Sequence, residues 1–188
     1  MGDLTRTSFL SGEGRRHRRG PALLGLALLT VGSFAFSPSA AAPQCFGRAA
    51  TITGTSADNT LTGTPGSDVI VGRKGADTIR GRGGRDYICG NAGEDVLNGG
   101  SGPDKMKGAR DIDYLAGGKG SDTMVGGAGG DEVHAEIGKP ADNDVARGSK
   151  GQDFIDTTDG ANNDVANGGP GAADTCNTDA GDTVNNCP

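Results

Sequence analysis

Large apolar residues recur along the middle of the chain at a fixed interval, one in every nine positions. Counted in nines from Gly54, the first position is glycine in nine consecutive repeats that fill residues 54–134. The eighth position is apolar in all of them: Leu61, Ile70, Ile79, Ile88, Leu97, Met106, Leu115, Met124 and Val133. A fixed period of this kind is the signature of a repeat architecture rather than of an ordinary globular core.

Each repeat predicts one short strand and one turn. The apolar eighth position lies between outward-facing neighbours, as in a strand with one side chain facing in. The six positions before it carry glycine at the first and usually at the fourth, which predicts a turn with backbone conformations open mainly to glycine. The predicted fold class is therefore all-β: a right-handed parallel β-roll, or β-solenoid, with two nonapeptides per coil and strands stacked about 4.8 Å apart.

The sixth position of each repeat is a carboxylate in eight repeats and an amide in the first. These residues are Asn59, Asp68, Asp77, Asp86, Asp95, Asp104, Asp113, Asp122 and Asp131. Residues eighteen apart stack on the same flank of the roll, so carboxylates about 5 Å apart repel one another unless a cation lies between them. Several oxygen ligands per site favour Ca²⁺ over Mg²⁺ and exclude a typical zinc site.

The last two of these repeats, GGKGSDTMV and GGAGGDEVH, resemble the motif GGxGxDxUx of the RTX or haemolysin-type calcium-binding proteins, which form a parallel β-roll. The resemblance runs through residues 54–134 without interruption. The opening CFGRAATITGT and the CG at Cys89 are similar to small secreted RTX-type proteins of actinobacteria.

The resemblance implies that each ion lies between successive turns of one flank, held by aspartates and turn carbonyls. It implies about seven ions at most for this block, and folding that is coupled to binding. The predicted ligands are the nine sixth-position residues together with Asp153, which belongs to a later copy, GSKGQDFID. Asn59 is neutral, so its site is expected to be weaker.

The first 41 residues have the composition of an export signal. Four arginines between positions 15 and 19 precede the uncharged apolar run PALLGLALLTVGSFAF and the small residues SPSAAA. This order predicts a signal peptide, 1–41, cut after Ala41, and a secreted, extracellular protein. An uncleaved membrane anchor is the alternative, but sixteen apolar residues are short for a bilayer span.

Removing residues 1–41, which hold two acidic and five basic side chains, leaves 22 acidic residues and 13 Lys or Arg, a formal charge of −9. Nucleic acid and anionic membranes are poor partners for such a chain as a whole. All four cysteines follow the signal, which predicts disulfides. Four cysteines allow three disulfide connectivities, and we favour the one that joins Cys45 to Cys89 and Cys176 to Cys187.

The predicted organisation is an N-terminal cap at 42–53, nine contiguous repeats at 54–134, irregular repeats with insertions at 135–175 and a C-terminal cap at 176–188. In the irregular part, Asp144 and Asp164 persist with a small residue in the apolar slot. His134 is the only histidine after the signal, and HAEIG is not the HExxH of zinc proteases.

Three functions are consistent with this sequence. The first is a secreted, non-enzymatic calcium-binding β-roll with a structural or adhesive role. The second is a secreted hydrolase that uses residues 135–167. The third is a recognition module for a glycan or a protein, presenting a flat outer face or the cationic group Arg73, Lys74, Arg80, Arg82 and Arg85, although solvated turn positions also explain that group.

Overall fold

The structure is a computed structural model that describes residues 41–135, 142–160, 163–171 and 173–187. These residues belong to one compact unit, residues 40–188. The predicted signal peptide, 1–41, lies outside the described residues except for its last residue. Over the described ranges, no helix is long and apolar enough to cross a bilayer.

The described part of the chain contains seventeen short strands joined by turns. In order they are β1 (Gln44–Cys45), β2 (Arg48–Ala49), β3 (Ile52–Thr53), β4 (Thr60–Thr62), β5 (Val69–Lys74), β6 (Thr78–Gly83), β7 (Tyr87–Ala92), β8 (Val96–Ser101), β9 (Lys105–Arg110), β10 (Tyr114–Lys119), β11 (Thr123–Ala128), β12 (Glu132–His134), β13 (Val145–Lys150), β14 (Phe154–Asp156), β15 (Val165–Asn167), β16 (Thr175–Asn177) and β17 (Thr183–Asn185).

Alternate strands belong to opposite faces of a parallel solenoid. The odd-numbered strands β3 to β17 form an eight-stranded sheet, and the even-numbered strands β4 to β16 form a seven-stranded sheet. Within each sheet, neighbours are parallel and, up to β12, eighteen residues apart, as Leu97 and Leu115 are. The predicted β-solenoid with two repeats per coil is confirmed, and it contains about seven coils.

The stacking continues through the irregular C-terminal part. Thr123 of β11 pairs with Val145 of β13, twenty-two residues on, and Phe154 of β14 pairs with Thr175 of β16, twenty-one residues on. The strands therefore stay aligned, and the extra residues lie in the turns between them. The segment predicted as a C-terminal cap contains the last strand, β17, which pairs with β15 in the eight-stranded sheet.

The eighth-position side chains fill the space between the two sheets. With Ala135, which occupies a first position, they form a buried core of twelve residues: Ile70, Ile79, Ile88, Leu97, Met106, Leu115, Met124, Val133, Ala135, Ala146, Ile155 and Ala166. Ile52, Leu61 and Cys176 pack against it at the two ends. The apolar column predicted from the repeat is confirmed, and in the irregular coils Ala146 and Ala166 occupy the same column.

Glycine serves two different purposes in the turns. Gly93, at a fourth position, has φ 119°, a conformation that favours glycine, as the sequence pattern predicts. Gly72, at a first position, is needed for space instead: a Cβ there would overlap Asp77 Oδ2 and lie 2.9 Å from the carbonyl oxygen of Gly90. The first-position glycine thus keeps room beside the sixth-position carboxylate.

The N-terminal segment folds back over the outer face of the eight-stranded sheet. β1 and β2 form an antiparallel hairpin, and Cys45 packs with Val71 and Cys89 in a second small cluster. The Arg48 guanidinium lies 4.3 Å from the centre of the Tyr87 ring. Both favoured disulfides, Cys45–Cys89 and Cys176–Cys187, are present in the structure.

Candidate metal centres

The sixth-position side chains line the two edges of the roll. We call the turns that lead from the eight-stranded to the seven-stranded sheet the first edge, and the return turns the second edge. The first edge carries Asn59, Asp77, Asp95, Asp113, Asp131, Asp153 and Asp174. The second edge carries Asp68, Asp86, Asp104, Asp122, Asp144, Asp164 and Asp182.

Hydrogen bonds join each of these columns into a continuous ladder. The Asp77 backbone N–H donates to Asp95 Oδ1 at 2.8 Å, and the Asp95 N–H donates to Asp113 Oδ1 at 3.0 Å. The same bond repeats between all neighbours on both edges. One carboxylate oxygen per residue is therefore used to hold the next coil in register.

The second carboxylate oxygen is buried without a hydrogen-bond partner in the interior of both ladders. This holds, among the described residues, for Asp77, Asp95, Asp113, Asp131 and Asp153 on the first edge and Asp86, Asp104, Asp122, Asp144 and Asp164 on the second. A buried ionised oxygen without a partner costs several kcal/mol. Ten such atoms in two regular rows are compensated either by protonation or by a cation.

At the ends of the ladders, the protein itself satisfies the second oxygen. Asp68 Oδ2 accepts hydrogen bonds from the Thr64 N–H at 2.6 Å and the Thr64 hydroxyl at 2.9 Å. Asp182 Oδ2 likewise accepts the Thr157 hydroxyl at 3.2 Å and the Asp179 N–H at 2.9 Å. Among the described ladder residues, the second oxygens without a partner thus belong to the interior coils.

Backbone carbonyls converge on the same spaces. The space beside Gly72 is bounded by Asp77 Oδ2 and the Gly90 carbonyl oxygen, and the space beside Gly99 by Asp104 Oδ2 and the Gly117 carbonyl oxygen. In the described part of the chain, no three His, Cys, Asp or Glu side chains are arranged so that they alone could hold a metal ion. Any ion here would be held by few carboxylates and several carbonyls, a donor set that fits Ca²⁺.

Burial raises the pKa of the interior aspartates. For Asp113, burial raises the pKa to about 8; the bond from the Asp95 N–H opposes this, and the charges of Asp131, Asp95 and Asp111 add to it. Burial likewise raises the pKa of Asp122 to about 8 and that of Asp104 to about 7. Without a cation, these carboxyl groups resist ionisation near neutral pH.

A family model described as the RTX calcium-binding nonapeptide repeat (4 copies) matches residues 53–88, 62–97, 75–106, 98–133 and 141–172. Together these matches span more than half of the chain. The chain belongs to the RTX calcium-binding repeat family. No curated protein matches it significantly. Because this family is calcium-binding, Ca²⁺ is the ion that the buried oxygens of this RTX roll imply.

The two edges of the RTX roll differ in the first-position residue of each turn. On the first edge it is glycine in every coil: Gly54, Gly72, Gly90, Gly108, Gly126, Gly148 and Gly168. On the second edge four glycines are followed by Ala135, Thr157 and Thr178. The buried side chains of Ala135 and Thr157 occupy positions where the four preceding coils have only hydrogen.

All ten residues predicted as ligands lie in the two ladders. Nine are aspartates whose side chains are buried, and Asn59 is half-buried at the start of the first edge. Sequence reasoning did not select Asp144, Asp164, Asp174 and Asp182, which continue the ladders. Each lies two residues before the inward position of its strand. This spacing could have identified them, but insertions and small core residues make the inward position hard to recognise in the sequence.

His134 lies on the outer face of the seven-stranded sheet, away from both ladders. Its Nε2 is 2.8 Å from Glu132 Oε1, and its ring lies between those of Tyr114 and Phe154, with centroids 5.2 and 5.7 Å away. The cationic group predicted from sequence is divided between sheets: Arg73 and Lys74 belong to β5, and Arg80 and Arg82 to β6.

Proposed function

We propose that this RTX protein is exported and that Ca²⁺ bound along both edges drives its folding into an extracellular, non-enzymatic β-roll with a structural or adhesive role. One observation carries the proposal: ten buried carboxylate oxygens, five on each edge, have no hydrogen-bond partner among the described residues. Protein groups satisfy the equivalent oxygens of Asp68 and Asp182, so the interior oxygens are the ones that need ions.

The proposed ligands are the predicted residues Asn59, Asp68, Asp77, Asp86, Asp95, Asp104, Asp113, Asp122, Asp131 and Asp153, together with first-position carbonyls. Asp77, Asp95, Asp113, Asp131 and Asp153 are the strongest candidates on the first edge because each keeps a free oxygen beside a glycine. Asn59 and Asp68 contribute less, since Asn59 Oδ1 already accepts the Thr55 N–H at 2.6 Å and Asp68 Oδ2 the Thr64 N–H at 2.6 Å. When bound, the cation neutralises carboxylates that would otherwise repel one another across neighbouring coils.

Export is supported by the cysteines. Both disulfides lie within the compact unit of residues 40–188, and disulfides persist mainly in oxidising compartments. Calcium near millimolar concentration outside the cell would then supply the ions that the folded form needs. In this proposal the chain reaches its destination unfolded and folds there.

Circular dichroism of the chain from residue 42 onward, titrated with Ca²⁺ and separately with Mg²⁺, tests this function. Strand signal should rise cooperatively with Ca²⁺ and stay low at the same concentration of Mg²⁺, which is too small and too rigid in geometry for such a site. An equal response to both ions, or a full strand signal before any addition, would contradict the proposal.

A recognition role is a second candidate, because the two outer faces differ sharply in charge. The strands of the eight-stranded sheet carry Lys and Arg but no Asp or Glu, whereas those of the seven-stranded sheet carry both signs. The structural role and the recognition role are compatible, since calcium would build the face that a partner contacts.

A further inference from the structure

Many acidic side chains of this protein are buried, whereas the charged residues in the strands of one sheet are all basic. The ladder aspartates are buried along the edges. The eight-stranded sheet carries seven cations in its strands: Arg73, Lys74, Lys105, Lys107, Arg110, Arg147 and Lys150. A protein with an acidic overall charge thus presents a positively charged face.

These cations occur on every second strand. All seven belong to β5, β9 and β13, while the intervening strands β7, β11 and β15 carry no charged residue. In register, Lys107 of β9 is followed by Val125 of β11 and Arg147 of β13. Since strands lie about 4.8 Å apart, cations in such a row are separated by about 9.6 Å along the roll.

A second row has the same spacing. Lys74, Arg110 and Lys150 align through Ala92 and Ala128, whose small side chains leave the cations accessible. All three cations are exposed. Two parallel rows of cations with small or neutral residues between them form a surface that a linear molecule can follow along the roll axis.

No described carboxylate lies within ion-pair distance of the cations on this face. Within the described ranges, the ion pairs involve His134 only, on the opposite sheet. A shallow groove beside Arg147 is lined by Ser149, Asn167 and Asn186, which supply hydroxyl and amide groups next to the guanidinium. Unpaired cations beside neutral hydrogen-bonding groups suit oxyanions that are attached to a polar chain.

We propose that the outer face of the eight-stranded sheet binds a linear polysaccharide with a sulfate or carboxylate on every second sugar. A two-strand interval is close to the length of a disaccharide in an extended chain, so charges on alternate sugars would meet successive cations. The contacting residues are Lys107 and Arg147 in one row and Lys74, Arg110 and Lys150 in the other. The inference extends the proposed recognition role and rests on the calcium-loaded roll being the folded form.

Nucleic acid and membranes fit this face less well. A nucleic-acid strand has one phosphate per roughly 3.4 Å of axis, about three times the charge density of a cation row. Base stacking requires exposed aromatic rings, but Tyr87, the aromatic residue of these strands, lies beneath Arg48. The cationic strands β9 and β13 expose no aromatic or large apolar side chain that could insert into a bilayer.

The test uses calorimetry with the calcium-loaded chain from residue 42 onward. The probes are κ-carrageenan oligosaccharide, sulfated on alternate sugars, and hyaluronate oligosaccharide, carboxylated on alternate sugars, with neutral agarose oligosaccharide as the control. At least one charged oligosaccharide should bind and the neutral one should not. The sulfated and carboxylated probes together identify which oxyanion the face prefers.

Two double variants locate the binding. The double variant Lys107→Gln/Arg147→Gln should weaken binding at least about tenfold. The dependence of the binding constant on salt should also show that about two fewer ions are released on binding. Arg80→Gln with Lys119→Gln removes the same charge from the seven-stranded sheet and should change affinity less than about twofold. Circular dichroism in calcium verifies that both variants are folded.

Several outcomes would overturn the inference: equal losses in the two variants, no binding of either charged oligosaccharide, or tighter binding of duplex DNA or anionic phospholipid vesicles. These outcomes leave the calcium-dependent folding untouched. Conversely, a chain that folds without calcium and still binds the charged oligosaccharide through Lys107 and Arg147 would refute the proposed folding mechanism and support this face.

Discussion

The two edges of the roll carry the same aspartate ladder but differ in the space beside it. Along the first edge, the first-position residue is glycine in all seven coils. Along the second, Ala135, Thr157 and Thr178 replace it beyond Asp122. The ladder bonds survive this change, since the Asp144 N–H still donates to Asp164 Oδ1 at 2.8 Å. Hydrogen bonding alone therefore does not require glycine. The glycine preserves a space bounded by oxygens, and we expect ions where that space persists.

The comparison predicts an unequal distribution of calcium. We expect ions beside ladder residues that have both a second oxygen without a partner and a first-position glycine. On the first edge these residues run from Asp77 to Asp153, but on the second edge only from Asp86 to Asp122. At the C-terminal end of the second edge, the Thr157 hydroxyl donates to Asp182 Oδ2 instead. Asp144 and Asp164 keep a second oxygen without a partner, but no first-position glycine lies beside them. The predictions below run from the largest expected effect to the smallest.

Acid should partly replace calcium on both edges. Without calcium, burial raises the pKa of Asp113 and Asp122 to about 8 and that of Asp95 and Asp131 to about 6. Between about pH 4 and pH 8 the folded chain holds protons that the unfolded chain has lost, so the free energy of unfolding falls as pH rises.

Circular dichroism in chelator at pH 4 and at pH 8 measures this effect. The calcium-free chain should show more strand at pH 4, and added Ca²⁺ should reverse the order by stabilising the ionised form. A calcium-free chain that becomes more structured as pH rises would contradict the burial of these carboxylates.

Filling one glycine space on the first edge should be severely destabilising. A Cβ at Gly90 would overlap Asp95 Oδ2, so Gly90→Ala should lower the free energy of unfolding in calcium by about 3 kcal/mol and weaken calcium binding. Gly66→Ala is the matched control, because the nearest atom to its added Cβ, Thr64 Oγ1, is 3.7 Å away. Chemical denaturation in calcium compares the two, and equal losses would refute the role of the space.

Removing one ladder charge should have opposite effects with and without calcium. Asp113→Asn keeps the shape of the side chain but removes a ligand, so stability in calcium should fall by about 2 kcal/mol. In chelator at neutral pH the same change should stabilise the roll, because the Asn amide can be buried uncharged, whereas the Asp113 carboxyl, whose pKa burial raises to about 8, must first bind a proton. Glu94→Gln, an exposed change on the same edge, is the control. An Asp113→Asn effect of the same sign in both conditions would argue against an ion at this position.

One hydrogen bond on the second edge should contribute the same amount to the free energy of unfolding with and without calcium. Thr157→Val removes the hydroxyl that donates to Asp182 Oδ2 and should cost about 1 kcal/mol. Because no ion is expected there, denaturation in calcium and in acid without calcium should give the same loss. Thr123→Val, on the outer face of β11, controls for the loss of a hydroxyl alone. A loss seen only in calcium would place an ion at this end of the second edge.

The sequence predicted most of this arrangement because its period is regular. The fixed nine-residue interval determines which side chain of each strand faces in, and so it predicted the apolar column from Leu61 to Val133 and the two aspartate columns. The two disulfides were predicted from the position of Cys89 along the roll axis, and from the short sequence separation of Cys176 and Cys187.

The remaining features depend on contacts between coils, which no single repeat reveals. Ala146 and Ala166 are too small to mark an inward position on their own, and insertions shift the count before Asp144 and Asp174. The need for space at Gly72 arises from a carbonyl one coil away. Neighbours in sequence such as Lys74 and Arg80 lie in different sheets, so the cationic face becomes visible only after strands are assigned to sheets.

Small-angle X-ray scattering of the chain from residue 42 onward, in calcium and in excess chelator at pH 8, tests the central claim most directly. The account predicts a compact particle in calcium and, after chelation, expansion toward the radius of gyration of about 40 Å expected for an unfolded chain of this length. A radius that stays the same in chelator would show that the buried carboxylates need no cation and would contradict the account.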